Sequence, residues 1–269
     1  MTSFLFWNIN KKPLESLVKK LAFQYEIDVI LLAEYESNPN QLLYVLNEKT
    51  FGYFLASSFC PKIRVFSRFR NEFFEAISES ERFSIRNLRL PGLQDILLAV
   101  VHFPSKINFS NESQMFECVN LADSIREAEE RVGHSRTVLV GDLNMNPFEG
   151  GIISSRGLHA VSSQRVAKKG NRTVQGKQYP FFYNPMWNFL GDFSPFPAGT
   201  HYYSGSEHIT YFWNMYDQVL VRPELLDRFV MRDLKILDSV ENKSLLTKDG
   251  QPNKNLASDH LPIIFRLEL

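Results

Sequence analysis

Polar residues able to do chemistry stand, in this sequence, where apolar runs end. Asn8 and Asn10 follow "FLFW", Glu34 follows "DVILLA" and His102 follows "ILLAVV". Asp142 and Asn144 follow "VLVG", Asp217 opens "DQVLV", and Asp259-His260 precede "LPIIF". Glu34, Asp142, Asn144 and Asp259 offer oxygen, which suits a hard cation such as Mg²⁺ and not zinc, which prefers nitrogen and sulfur. His102 and His260 add groups that exchange protons near neutral pH. Each residue taken alone also has a plain explanation. Asn and Asp end strands by bonding their own backbone, a lone histidine is at home in a core, and Asp259-His260 can be a turn before Pro262. Glu34 resists that explanation, because a carboxylate directly after a buried run is costly without a partner or a metal. It is the set that points to chemistry. The sequence has no phosphate-cradling glycine loop, no His-Glu-x-x-His and no nucleophile elbow.

Such residues need elements to hold them, and the apolar pattern supplies these. "SFLFWN" (3–8) reads as a strand, Pro13 opens a helix with Leu14, Leu17, Val18, Leu21, Ala22 and Tyr25 on one face, and "DVILLAE" (28–34) reads as a strand covered on both sides. Strand, helix, strand over so short a span predicts a βαβ unit. A second helix is expected over 40–47. Residues 51–102 alternate strand-like runs with breaks at Pro61, Asn71 and Pro91-Gly92, which predicts an antiparallel meander. A helix over 111–132 carries Met115, Val119, Ala122 and Ile125 on one face, and "TVLVGD" (137–142) is a buried strand. A short helix near 148–155 follows, then long loops over 156–200. Strands resume at 211–221 and 229–237, and "SDHLPIIFRLEL" ends as a loop and a strand. Helices mixed with both kinds of strand pairing predict an α/β sandwich of two packed sheets, with residues 1–269 as a single domain.

Composition narrows the class. The 269 residues are ample for a sizeable core. Lys plus Arg number 30 and Asp plus Glu number 30, so no global basic field exists of the kind that non-specific nucleic-acid coating requires. Cys60 and Cys118 are too few for a disulfide framework and stand in no metal-ligand spacing. The opening "MTSFLFWNIN" does not read as a signal peptide, and no apolar run approaches the roughly 20 residues of a membrane span. The reading is a cytoplasmic protein with no membrane association and no inferable protein partner.

"FWNIN", "DVILLAEYE", "VVHFPS", "VGDLNMNP", "YDQVLV" and "SDHLPI" occur in an order that resembles the endonuclease/exonuclease/phosphatase superfamily, which includes pancreatic-type deoxyribonuclease, abasic-site endonucleases, sphingomyelinases and inositol-polyphosphate 5-phosphatases. The resemblance runs from residue 4 to residue 264. It implies a four-layer α/β sandwich and phosphoester hydrolysis dependent on Mg²⁺, with Mn²⁺ as the substitute ion. Carried over motif by motif, Glu34 is the main metal ligand, helped by Asn8 or Asn10 and by Asp259. Asp142 orients or deprotonates the attacking water, and Asn144 bonds a phosphate oxygen. His260 contacts the scissile phosphate or acts as acid or base, held by Asp217. His102 matches a histidine near the leaving oxygen. Two departures stand out. Ala33 replaces a common Gln, and Asn10 stands where abasic-site endonucleases carry an acid. The longer signatures of the 5-phosphatases are missing from "MYDQVLV". Asn146, beside Pro147, is read as a turn residue and not as a ligand.

Substrate choice is expected from 156–216. Its cluster Arg165, Lys168, Lys169, Arg172 and Lys177 can grip phosphates, and its aromatics can stack bases. "GTHYY" sets a turn that brings His201 toward the site, and Arg172 and His201 join the substrate-binding candidates. Three readings follow: a nuclease acting on DNA or RNA, a phosphatase or phosphodiesterase for a small or lipid phosphate, and a binding protein that keeps the fold without catalysis.

Overall fold

The computed structural model of the chain describes residues 1–48, 52–107, 109–192, 194–195 and 197–269. Residue 51, where the expected meander begins, and residues 193 and 196 of the expected substrate region lie outside the described residues.

Two sheets carry the fold. The first has the order Lys235–Ile236, Ile263–Leu267, Thr2–Asn8, Val29–Ala33, Ile63–Ser67, Phe54–Leu55. The second has the order Phe74–Glu79, Phe83–Leu88, Ile96–His102, Thr137–Asp142, Asp217–Val221, Phe182–Tyr183, Ala160–Val161. The strands Thr2–Asn8 and Val29–Ala33 pair in parallel across the helix Glu15–Gln24, which is the expected βαβ unit. Ile96–His102 and Thr137–Asp142 form a second parallel pair, joined by the helix Asn111–Val132. That helix starts at Ser110, whose side chain accepts from Ser113 N, and ends at Gly133 in a left-handed turn.

The period-2 alternation of strand residues sorts them between two apolar clusters. Ile96, Leu98, Val100, Val138, Val140, Val219 and Val221 point between the sheets, where they meet Phe4, Phe6, Leu31 and Phe265. Leu97, Ala99, Val101, Leu139 and Leu220 point outward against Cys118, Leu121, Ala122 and Ile125 of the long helix. On the first sheet's side, helices Glu15–Gln24 and Pro39–Asn47 bury Val18, Leu21, Leu42 and Leu46. The result is the four-layer α/β sandwich.

Several expectations change in detail. The meander is split: Phe54–Leu55 and Ile63–Ser67 edge the first sheet, whereas Phe74–Glu79, Phe83–Leu88 and Ile96–His102 form an antiparallel set in the second. The change of sheet occurs at the turn before and through Asn71–Phe73. The run 211–221 is two strands in different sheets, Phe212–Asn214 and Asp217–Val221, because Asn146 Oδ1 takes the Met215 N–H at 2.8 Å and breaks the ladder there. Of 229–237, Phe229 makes an isolated bridge to Leu267, and Lys235–Ile236 joins the large sheet as a strand after a 3-10 turn at Met231–Asp233. The long helix buries Gln114, Cys118, Leu121, Ala122, Ile125 and Ala128, while Met115 is exposed and Val119 half-buried. Residues 156–200 are more regular than long loops: Asn171–Val174 and Lys177–Pro180 make an antiparallel hairpin.

Candidate active site

Register brings the site together. Asn8 lies opposite Ala33 in the first sheet, so Asn8 and Glu34 leave the sheet at the same edge. In the second sheet His102 lies opposite Asp142, and Asp142 opposite Asp217. Directly opposed residues present their side chains to the same face, so three separate strand ends converge. Asn10, Glu34 and Asn144 then turn the chain with φ of 46°, 53° and 49°. Asn tolerates this left-handed region, and Glu adopts it at a cost.

Asp142 is the hub. Its Oδ2 accepts from Asn8 Nδ2 at 2.9 Å, and its Oδ1 accepts from Asn144 N at 2.8 Å. Burial is the main influence on its carboxyl and raises the pKa; His260 and His102 oppose this, and Asp217 adds to it. His260 Nδ1 lies 2.8 Å from the buried Asp217 Oδ2, and its Nε2 lies 3.9 Å from Asp142 Oδ2. Burial on its own would lower the imidazole pKa, but the carboxylates of Asp217 and Asp142 outweigh it and raise the value to about 10. His260 therefore keeps both ring protons at neutral pH. Its carbonyl accepts from Trp7 Nε1 at 2.8 Å, which fixes the loop against the first sheet.

Glu34 Oε1 lies 3.1 Å from His102 Nε2. That hydrogen bond outweighs burial and holds the Glu34 carboxyl below its ordinary range, so it is ionised. His102 Nε2 is also 3.8 Å from Asp142 Oδ2. Asn10 Nδ2 donates to Asp259 Oδ1 at 2.9 Å, and Asn10 N donates to Asn8 Oδ1 at 3.0 Å. Asn144 Nδ2 gives one hydrogen to Phe103 O at 2.9 Å and keeps a second.

The oxygens of Glu34, Asn8, Asn10 and Asp259 form a donor set that suits a hard divalent cation. Glu34 is ionised and keeps 23% of its side chain exposed, so an ion has access to it. Asp142, Asp217 and His260 also have ligand atoms within 4.8 Å of one another. That trio is already paired within itself, however, because Asp217 Oδ2 is committed to His260.

His201 adjoins this network: its backbone bridges to His260, and its ring lies 4.8 Å from the His260 ring and stacks on Tyr216 at 5.3 Å. Burial first, then the charge of His260, lowers its pKa to about 4, so it is neutral. Arg172 lies apart, exposed on the Asn171–Val174 strand, and lines a separate cavity. Sequence reasoning missed the residues that brace the loops. Ser258 Oγ donates to Asn8 O at 2.7 Å and accepts from His260 N at 3.1 Å. Gln218 Nε2 donates to Met145 O at 2.6 Å and Met215 O at 2.9 Å. Gln114 Nε2 donates to Pro104 O and Asn144 O. The signal for Gln218 is an amide inside the apolar run "DQVLV", since a buried amide needs partners. Asn146 is buried and ties its loop to Asn214 and Met215.

The model of the endonuclease/exonuclease/phosphatase family matches residues 5–260. The chain belongs to that family. Its members are metal-dependent hydrolases of phosphoester bonds, nucleases and phosphatases among them, and this chain is a hydrolase of that kind. Solved structures share the fold over the whole chain. An AP endonuclease from Archaeoglobus fulgidus is 15% identical, covers 100% of both chains and superposes with a TM-score of 0.56. An endonuclease/exonuclease/phosphatase family protein from Leptotrichia buccalis gives 15%, 100% of both chains and 0.57. The 3′ phosphatase NExo from Neisseria, bound to a product DNA hairpin, gives 13%, 100% of both chains and 0.54. No curated protein sequence matches. Among the described residues, no helix is long and apolar enough to cross a membrane.

Proposed function

We propose that the chain is a Mg²⁺-dependent nuclease that hydrolyses phosphodiester bonds of nucleic acid, with Mn²⁺ able to substitute. The observation that carries this reading is the buried His260–Asp217 pair at 2.8 Å beside the Asp142 carboxylate. A protonated imidazole next to a carboxylate is the pairing that an anionic phosphate and an incoming water require. Glu34, with Asn8, Asn10 and Asp259, would hold the Mg²⁺. When bound, the ion offsets negative charge on the phosphate and on the leaving oxygen. His102 holds Glu34 through Nε2. Asp142, its pKa raised by burial, accepts a proton from water more readily than an exposed aspartate would. His260 donates from Nε2 toward the phosphate, and its Nδ1–H stays on Asp217. Asn144 offers its second amide hydrogen to a phosphate oxygen. The fold neighbours that act at abasic sites or carry a product DNA hairpin support a nucleic-acid substrate.

The test is a hydrolysis screen with Mg²⁺ and Mn²⁺ over plasmid, single-stranded DNA, RNA, abasic duplex, inositol phosphates and sphingomyelin. Cleavage of at least one nucleic acid is expected, with Glu34→Ala and His260→Ala inactive. Full activity of either variant, or turnover of the small phosphoesters alone, overturns the reading.

A further inference from the structure

A cavity of about 410 Å³ lies outside the catalytic cluster, lined among others by Val161, Val166, Phe181, Trp187, His159 and Arg172. Its size falls in the range of small-ligand sites, about 300–1,000 Å³. The Trp187 indole Nε1 is buried with no acceptor among the described residues. An indole N–H only donates, so what it lacks is an acceptor. His159 points Nδ1 at the carbonyls of Tyr179 and Pro180, 3.1 and 3.3 Å away. Those oxygens require the proton on Nδ1, which leaves Nε2 of the neutral ring as an acceptor. Burial, then the neighbouring Arg172 charge, keeps the imidazole neutral. Arg172 makes no ion pair with a carboxylate among the described residues. The cavity thus combines aromatic walls, one acceptor and one guanidinium without an ion pair among the described residues.

The cavity is tied to the catalytic loop. Phe148, four residues after Asn144, packs on Trp187 with centroids 6.3 Å apart and on Tyr211 at 5.2 Å. Four extended residues span at most about 14 Å. The cavity wall therefore lies within about 25 Å of Asn144, a distance that roughly seven stacked nucleotides cover at about 3.4 Å each.

We propose that this cavity binds one unpaired nucleotide of the substrate strand, the base between Phe181 and Trp187 and its phosphate on Arg172. The base meets His159 Nε2 with a donor. Bases in a closed duplex are stacked away from such a pocket, so the site selects single-stranded or flipped nucleotides. The inference rests on the nucleic-acid reading above and adds where that substrate is held.

The experiment measures anisotropy of a labelled, non-hydrolysable single-stranded oligonucleotide of about ten residues, over a series of salt concentrations. A blunt duplex and a free mononucleotide serve as competitors. Arg172→Ala is expected to weaken binding about tenfold and to lower the slope of log affinity against log salt by about 0.7. Trp187→Ala, which removes the ring against which the base stacks, is expected to weaken it several-fold, with thermal melts checking that both variants fold. Lys243→Ala, an exposed charge on another hairpin, is expected to stay within about twofold. The single strand should compete better than duplex or mononucleotide. Wild-type affinity in both variants, or an equal loss in Lys243→Ala, overturns the proposal, as does better competition by duplex or by mononucleotide. Wild-type cleavage of nucleic acid with both variants unchanged would sink the pocket and leave the proposed function standing. Arg172-dependent binding without any nucleic-acid cleavage would do the reverse.

Discussion

At the scale of single residues, the decisive group is the His260 imidazole, and its state is set by Asp217. With an ordinary pKa near 6.5 this ring would be mostly neutral at pH 8; beside Asp217 and Asp142 its pKa reaches about 10. Asp217→Asn keeps the shape and removes one carboxylate. The pKa of His260 should then fall toward its ordinary value, and turnover should decline as pH rises through neutrality, where the wild type stays active. At pH 8 the expected loss is on the order of 10²–10⁴-fold. A pH–rate profile alongside an NMR titration of the His260 ring checks this, and superimposable profiles would refute it. Stability follows with a definite sign. The folded state holds the proton up to about pH 10, whereas the unfolded chain releases it near 6.5. The contribution is full below about pH 6.5 and is lost as pH climbs to about 10.

At the scale of elements, the parallel pairing of Ile96–His102 with Thr137–Asp142 sets His102 against Asp142. Gly141 is what permits it. At φ 156° it faces Val101 so closely that a Cβ would lie 2.0 Å from Val101 O and 2.8 Å from Val101 C. Gly141→Ala is therefore expected to cost about 3 kcal/mol by forcing the two strands apart, and to reduce activity by moving Asp142 from His102. Gly133, which ends a helix in open space, provides the control: Gly133→Asn should cost less than about 1 kcal/mol. Urea titrations of both variants decide it, and equal costs would show that the crowding is not what matters. The positions of the strand ends were legible beforehand, because each apolar run stops at a polar residue. The turns that aim those residues were not. The left-handed φ of Glu34 comes from Glu34 N bonding Lys62 O and Lys11 N bonding Glu34 O, contacts to distant or irregular chain that no local pattern encodes. The same holds for 211–221, where one bond from Asn146 divides what reads as a single strand.

At the scale of the whole molecule, the site exists because two sheets meet. Asn8 reaches Asp142 across 134 positions of sequence, and Trp7 reaches His260 across 253. Period-2 patterning identifies strands but does not assign a strand to a sheet, so the fold class could be read from the sequence while the split of the meander could not. Arg172 shows the same limit from the other side: its type suits a phosphate, yet only the tertiary structure puts it on a cavity and not in the catalytic cluster. A site assembled from distant parts of the chain has a global consequence. An ion held by Glu34 and Asn8 of the first sheet, and by Asp259 ahead of the Ile263–Leu267 strand, binds the folded chain and not the unfolded one. Mass action then adds about 1.4 kcal/mol of stability at ten times the dissociation constant. For a protein of this size that raises the melting temperature by about 2–4 °C. Mg²⁺ should therefore shift the thermal midpoint of the wild type upward and leave Glu34→Gln nearly unmoved. A rise of equal size in Glu34→Gln would mean that the ion stabilises the chain from somewhere other than this edge, and the ligand assignment would fall.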